Sequence, residues 1–348
     1  MVNKPSLLLT SIGKRVQLIK HLKKSFKVIG VDAGELNPGK AFVDKFYKIP
    51  KASKSEYISS LLNICREERV KVLIPLYEGE FQILHNVREQ FKEIDTLILL
   101  SNGEILEICK DKKKTYDYFL NSKINIPKVY SGDEIGDILV YGGIDKFPLI
   151  IKPRDGMGSN GIYKINNLNE LKFFKDYVEN GIIQEYIAGE EYTVDVLTDL
   201  YGEPVYVVPR KRLEVRSGEV VKSSTSRDEN IINETLKVMK HLNELRDSNK
   251  LGLQGPLTIQ FFKKSNGEIY LLEINPRFGG GAPLSFEAGA DYGQRILEMV
   301  QGKQMKYIKD FEEITMLRYE EAIFNSVDNG QLTIKDETPL EFLKLHVF

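Results

Sequence analysis

Short apolar runs alternate with stretches of helical period from the start of the chain. Leu7-Leu8-Leu9-Thr10 predicts a buried strand, Lys14 to Lys24 a helix with Val16, Ile19 and Leu22 on one side, and Val28-Ile29-Gly30-Val31-Asp32 the next strand. Ile58, Leu61, Leu62 and Cys65 recur at i, i+3, i+4 and i+7, the spacing of one helix face. A strand from Val70 to Ile74, a helix from Glu80 to Phe91 and a strand from Thr96 to Leu100 are expected next. Strands alternating with helices imply a parallel sheet, so residues 1–108 are expected to form a doubly wound, Rossmann-like α/β domain.

Beyond Lys110 the rhythm becomes antiparallel. A charged helix (Asp111 to Asn121) precedes an apolar stretch interrupted by Pro127 and a strand ending in Ile150-Ile151-Lys152-Pro153. Gly156 to Gly161 connects it to Ile162-Tyr163-Lys164-Ile165, and Asn167 with Glu170 has the form of a capping box for a helix that stops before Gly181. Strands are expected at Ile182 to Tyr186, Val194 to Leu200 and Pro204 to Val208. After these come a basic loop with Arg210, Lys211, Arg212 and Arg216, a helix near Ile231 to Arg246, and two strands about Asn266-Gly267. The expected division is 1–108, 109–186, 187–318 and a C-terminal extension, 319–348.

Charge narrows the function. Lys plus Arg number 49 against 50 Asp plus Glu, a net charge of −1, so no basic excess supports general binding to nucleic acid or an anionic membrane. No apolar run approaches the roughly 20 residues that cross a bilayer, and the N-terminus lacks a secretory h-region, so a cytoplasmic protein is expected. Cys65 and Cys109 make no disulfide framework, and the four histidines have no zinc spacing.

Candidate chemistry lies in the second half. Gly156-Met157-Gly158-Ser159-Asn160-Gly161 is G-x-G-x-x-G, but it opens a strand and not the helix of a dinucleotide site. Such a loop either lays backbone N–H groups over phosphates or is a plain hairpin tip; Lys152, four residues earlier, favours phosphate. Ser11-Ile12-Gly13-Lys14 fails as a P-loop because Leu8 replaces its first glycine. Asp32 lacks the glycines that would make it a ribose ligand.

The segment Leu257 to Arg277 is the most informative. Asn266-Gly267 predicts a two-residue type I′ turn, which sets Gln260 opposite Glu273 and Thr258 opposite Asn275. One face then collects Gln260, Glu273 and Asn275, hard oxygen donors suited to Mg²⁺, while Ile259, Phe261, Leu272 and Ile274 cover the other. Arg277 and Gly279-Gly280-Gly281 follow, a guanidinium entering a loop that a ligand can approach closely.

Asp111-Lys112, the Ile150 to Pro153 strand with its glycine flap, Glu185-Tyr186-Ile187, Glu191 and Leu272-Glu273-Ile274-Asn275-Pro276-Arg277 together resemble the ATP-grasp superfamily, in particular a single module of the carbamoyl-phosphate synthase large-subunit type. The resemblance spans about residues 5–300. It implies an ATP-grasp fold of two lobes after the Rossmann-like domain, with ATP and Mg²⁺ or Mn²⁺, one or two ions, as cofactors. It further implies that Lys112, Lys152, Gly156, Gly158, Ser159 and Gly161 contact phosphates, that Glu185, Tyr186 and Ile187 read adenine and that Glu191 binds ribose. Gln260, Glu273 and Asn275 would hold metal, Arg277 and Lys152 would serve catalysis, and Arg210, Lys211, Gly279 and Gly280 would face the substrate. Gln260 departs from members with a carboxylate there, which leaves the number of ions open.

The implied activity is a carboxylate–amine ligase that activates a small carboxylate as an acyl phosphate, with ADP and phosphate released. A carbamoyl-phosphate-synthase-like phosphotransferase and a non-catalytic nucleotide-binding module are the alternatives; a protein kinase is set aside because no H-R-D or D-F-G segment occurs. The partners implied are a small carboxylate and a nucleophile, with no nucleic acid and no membrane; a homodimer stays open.

Overall fold

The structure is a computed structural model that describes residues 4–156, 160–248, 250–328 and 331–334. It contains two compact units, Met1–Leu317 and Arg318–Phe348. In the first unit, β1 (Ser6–Thr10), β2 (Lys27–Asp32), β3 (Lys45–Lys48), β4 (Val70–Ile74) and β5 (Leu97–Ile98) form a parallel sheet in the order β3-β2-β1-β4-β5. Leu7 and Leu9 pack with Leu18, Ile19 and Leu22 of the helix Val16–Leu22, whereas Leu8 packs with Leu61, Leu62 and Cys65 of the helix Glu56–Glu68. Both faces are covered, which is why β1 reads as an unbroken apolar run. The single helix expected from Glu80 to Phe91 is two, Phe81–Asn86 and Arg88–Lys92, broken at Val87. There Arg88 turns inward and donates to the carbonyls of Ile98 (2.8 Å) and Leu100 (2.5 Å), tying this helix to the sheet edge.

A small antiparallel sheet follows, β6 (Leu149–Pro153), β7 (Tyr163–Ile165) and β8 (Gly181–Glu185), in the order β7-β6-β8. It has its own core, in which Leu149, Ile151, Ile165 and Ile183 meet Ile138 and Leu171 from the helices Gly132–Tyr141 and Leu168–Tyr177. Asn167 caps the second helix by accepting from Glu170 N (3.0 Å), and the Glu170 carboxylate reaches back to Asn166 N (2.7 Å).

The largest sheet is antiparallel, ordered β13-β12-β9-β10-β11-β14, from β9 (Glu190–Thr198), β10 (Pro204–Arg216), β11 (Glu219–Thr225), β12 (Gly255–Lys263), β13 (Ile269–Asn275) and β14 (Thr315–Leu317). Val194, Val196, Val207, Ile259, Phe261, Leu271 and Ile274 form a core with Ile231, Val238 and Leu242 of the helix Glu229–Asn243. The expected basic loop is strand: β10 runs on to Arg216, because Arg210 to Arg216 pair antiparallel with β11, with irregularities on either side of Glu214.

The β12–β13 turn is also not the two-residue turn expected. Lys264 N donates to Glu268 O (2.8 Å) and Gly267 N to Lys264 O (3.0 Å), with Gly267 at φ +90°, so three residues make the turn. That shifts the register by one, and an irregularity after Gln260 shifts it back, leaving Gln260 opposite Glu273 and Thr258 opposite Asn275. Leu272 is the extra residue, and Leu271 takes the core place expected of it. In the second unit, β15 (Asn325–Asp328) pairs antiparallel with β16 (Gln331–Ile334).

Candidate functional site

The second face of the large sheet is polar at alternate positions. In the ladder, β12 sets Thr258 between Asp195 and Asn275 and Gln260 between Thr193 and Glu273, so two side-chain oxygen rows lie across three strands. Thr193, Asp195, Thr258 and Asn275 are buried. Glu273 has no ion-pair partner among the described residues. A hard cation fits this set, since all donors are oxygen and Glu273 and Gln260 are directly opposed. No group of three His, Cys, Asp or Glu that could hold a metal occurs among the described residues, so an ion here would need amide oxygens as well.

Lys152, near the end of β6, is only 8% exposed. Burial pushes its ammonium down to about 8, Lys112 nearby adds to the fall, and Glu273 opposes it. The three side chains therefore share one electrostatic neighbourhood although they come from three separate elements. Lys112 opens the helix Lys112–Phe119, capped by Asp111, and its Nζ donates to Gly156 O (2.7 Å). Asp111 is also forked to Arg154 (3.1 and 2.5 Å), so this helix end and the start of the glycine loop are fixed together. Gly161 closes the loop at φ +73°. Gly158 and Ser159 lie outside the described residues.

Glu185 ends β8, where its N donates to Lys128 O (2.9 Å). Tyr186 lies under the Lys164 ammonium (4.1 Å), and Ile187 is buried. Glu191 is ion-paired with Arg212; burial raises its carboxyl despite this partner, and Glu273 raises it further.

The basic cluster was expected as a loop, either solvated or anion-binding; it lies instead in a strand, and its cations are paired. Arg210, 1% exposed, is forked to Asp195 through Nε (2.6 Å) and Nη2 (2.9 Å), while Lys211 pairs with Glu190. Arg210, Lys211 and Arg212 each meet an acidic side chain of β9, and Arg216 pairs with Glu214 of its own strand. Among the described residues Nη1 of Arg210 and Nε of Arg212 lack a hydrogen-bond partner, and the former lies against Gly281. A Cβ at Gly281 would come within 2.3 Å of that nitrogen, and one at Gly279 within 2.9 Å of Thr258 Oγ1. The glycines thus let the loop close over the strand ends; Gly280 is exposed. Arg277 does reach the polar face: Nη2 is 3.5 Å from Asn275 Oδ1, and Nε and Nη2 hold Glu78 Oε1 at 2.8 and 2.7 Å.

Family comparison agrees with this geometry. Residues 109–281 match the model of an ATP-grasp domain, and residues 7–99 match that of a PylC-like N-terminal domain. The chain belongs to the ATP-grasp superfamily. The carbamoyl phosphate synthase large chain of Caldanaerobacter subterraneus subsp. tengcongensis is 29% identical over 273 residues, 72% of this ATP-grasp chain and 24% of that protein. The chain thus spans about a quarter of the length of the curated relative it matches. Among solved structures, the biotin carboxylase domain of Hydrogenobacter thermophilus 2-oxoglutarate carboxylase, in complex with MgADP and bicarbonate, has TM-score 0.66 at 16% identity, covering 86% of this chain and 70% of that one. The N5-carboxyaminoimidazole synthetase of Staphylococcus aureus has TM-score 0.65 at 18% identity, covering 89% and 80%. At these identities the likeness is one of ATP-grasp fold.

Sequence reasoning missed Asp195, Ser285 and Glu78, and named Arg212 only as one of the basic cluster. Asp195 anchors Arg210 and accepts from Ser285 Oγ (2.5 Å), and the alternation Glu191, Thr193, Asp195 was a signal for it. Nothing local marks Glu78, whose partner Arg277 lies 199 residues away. Asp32 accepts from Gly13 N (3.1 Å) and Gly34 N (3.0 Å), a strand-end carboxylate satisfied by its own turns. Among the described residues no helix is long and apolar enough to cross a membrane.

Proposed function

We propose that this ATP-grasp chain is an ATP-dependent carboxylate–amine ligase. The observation that carries the reading is Glu273 with its opposed Gln260 and Arg277 on one polar sheet face, with buried Lys152 of the small sheet within electrostatic reach of Glu273. The working division is 1–108 as the Rossmann-like domain, 109–186 as the lid with its glycine loop, 187–318 as the catalytic lobe and 319–348 as an extension. ATP sits between the small sheet and the large one, with Glu185, Tyr186 and Ile187 at its base, Glu191 at ribose, and Lys112, Lys152 and the loop from Gly156 to Gly161 on phosphates. Gln260, Glu273 and Asn275 hold Mg²⁺ or Mn²⁺, which when bound offsets phosphate charge.

Phosphoryl transfer asks the protein for positioning and charge more than for a nucleophile. Lys152 and Arg277 meet that need, Arg277 by forking two hydrogen bonds to phosphoryl oxygens. The substrate carboxylate oxygen attacks the γ-phosphorus, the bond to ADP breaks, and an acyl phosphate forms. An amine then displaces phosphate. Gly279 and Gly280 line the acceptor side, where backbone can approach closely. Arg210 and Lys211, occupied by Asp195 and Glu190, act here by shaping the sheet surface instead of gripping substrate.

A screen of carboxylates and amino acids for stimulated ADP release, with hydroxylamine to trap the activated acyl group and mass spectrometry of products, tests this. ADP, phosphate and a hydroxamate are expected. AMP and pyrophosphate, or no stimulation by any carboxylate, would overturn it.

A further inference from the structure

Glu78 is a carboxylate set where a polyphosphate-binding site would do better without one. It lies in the short turn after β4, in the Rossmann-like domain, yet its side chain is only 16% exposed and sits on Arg277 of the catalytic lobe. Oε1 alone takes both Arg277 contacts, at 2.8 and 2.7 Å, while Oε2 has no hydrogen-bond partner among the described residues. The buried Cys109 thiol, pushed up first by burial, is raised further by both Glu78 and Glu273, so both carboxylates lie within electrostatic reach of the same sulfur. Glu78 therefore belongs to the site electrostatically as well as through Arg277.

We propose, resting on the ligase reading, that Glu78 receives the amine substrate as its ammonium ion and takes the proton that must leave before attack. Charge points to a cation: Glu78 opposes phosphate binding unless a positive group faces it, and Arg277 is already shared with the phosphoryl group. Geometry points to an ammonium and not a second metal ion. One free carboxylate oxygen beside a guanidinium suits a single N–H donor, whereas a divalent ion wants several oxygens and is repelled by Arg277. Arg277 links Glu78 to the Asn275 side of the polar face, so an amine held at Oε2 would stand beside the guanidinium assigned to the phosphoryl group. The step balances: R–NH₃⁺ gives one proton to the Glu78 carboxylate, and the amine lone pair forms the C–N bond. The C–O bond to phosphate breaks with its electron pair, and the second amine proton leaves with phosphate.

The test compares wild type with Glu78→Gln, which keeps an acceptor for Arg277 but loses the charge. Both receive Mg-ATP, the carboxylate that best stimulates ADP release, and one of two kinds of nucleophile. One is a panel of primary amines and amino acids, ammonium ions at pH 7; the other is hydroxylamine, largely neutral there. Losing the base is expected to lower the ratio of amide to hydroxamate by roughly 10²-fold, with a steeper rise of amide formation as pH increases. Glu78→Asp should recover part of that ratio. An equal fall in both products makes Glu78 a mere brace for Arg277 and overturns the proposal; so does an unchanged ratio, or a variant whose defect is in Mg²⁺ requirement. If wild type forms no hydroxamate with any carboxylate, the ligase reading itself fails.

Discussion

Lys152 should weaken the fold that carries it. It is 8% exposed with no ion-pair partner among the described residues, and burial with Lys112 nearby pushes its ammonium from 10.5 down to about 8. At pH 7 it is charged in both folded and unfolded chains, and the folded chain bears the full penalty, about 3 kcal/mol for a fall of this size. Between pH 8 and 10.5 the unfolded chain holds the proton more tightly, so stability rises with pH and the penalty shrinks to below about 1 kcal/mol at pH 10. Lys152→Met keeps the length of the side chain and removes the charge. The variant should be the more stable protein at pH 7 by roughly 3 kcal/mol, with the gap closing by pH 10. Chemical unfolding of both proteins from pH 7 to 10 measures the difference, in which other titrating groups cancel. Mg-ATP should stabilise wild type strongly and the variant little, since phosphate is the partner Lys152 lacks. A variant less stable than wild type at pH 7, or a gap independent of pH, would refute the reasoning.

Glu273→Gln should leave the unfolding transition nearly unchanged, because Glu273 has no ion pair to lose, while ATP turnover falls on the order of 10²-fold or more; steady-state ADP release checks this. Arg277→Ala should lower kcat by roughly 10²-fold with a smaller change in ATP affinity, read from initial rates against ATP binding by calorimetry. Gly281→Ala would place a Cβ within 2.3 Å of the buried Arg210 Nη1, whose guanidinium is fixed on Asp195. Thermal unfolding should show a loss of about 1–3 kcal/mol, as for other overpacked interiors.

The strand alternation of the Rossmann-like domain was legible because a sheet buried on both faces writes itself as apolar runs such as Leu7 to Leu9. The break at Val87 was not, since its cause is a hydrogen bond from Arg88 to carbonyls ten and twelve residues on. The oxygen row of Gln260, Glu273 and Asn275 was read correctly from a turn that is wrong by one residue. Its register survives because a bulge at Leu272 compensates, and a bulge has no signature in a run as uniformly apolar as Ile269 to Leu272. The same bulge explains why Leu271 and not Leu272 is in the core. Arg210, Lys211 and Arg212 looked like free cations because their partners, Asp195, Glu190 and Glu191, are remote in sequence and adjacent only across the ladder.

That pairing divides the electrostatic work. On the large sheet, Arg210, Lys211 and Arg212 are spent on acidic neighbours, and Arg277 is shared with Glu78. The sheet that would hold metal thus adds little positive potential of its own. Lys152 and Lys112 stand on the other side, the first buried without a counter-ion and the second held to the carbonyl of Gly156. Attraction for a polyanion therefore comes from the small-sheet side, and the large sheet contributes oxygen donors and one guanidinium. Charge brought by a nucleotide would relieve the repulsion between Lys152 and Lys112. A chain arranged this way would hold Lys152 charged at a cost in stability that a bound polyanion would remove.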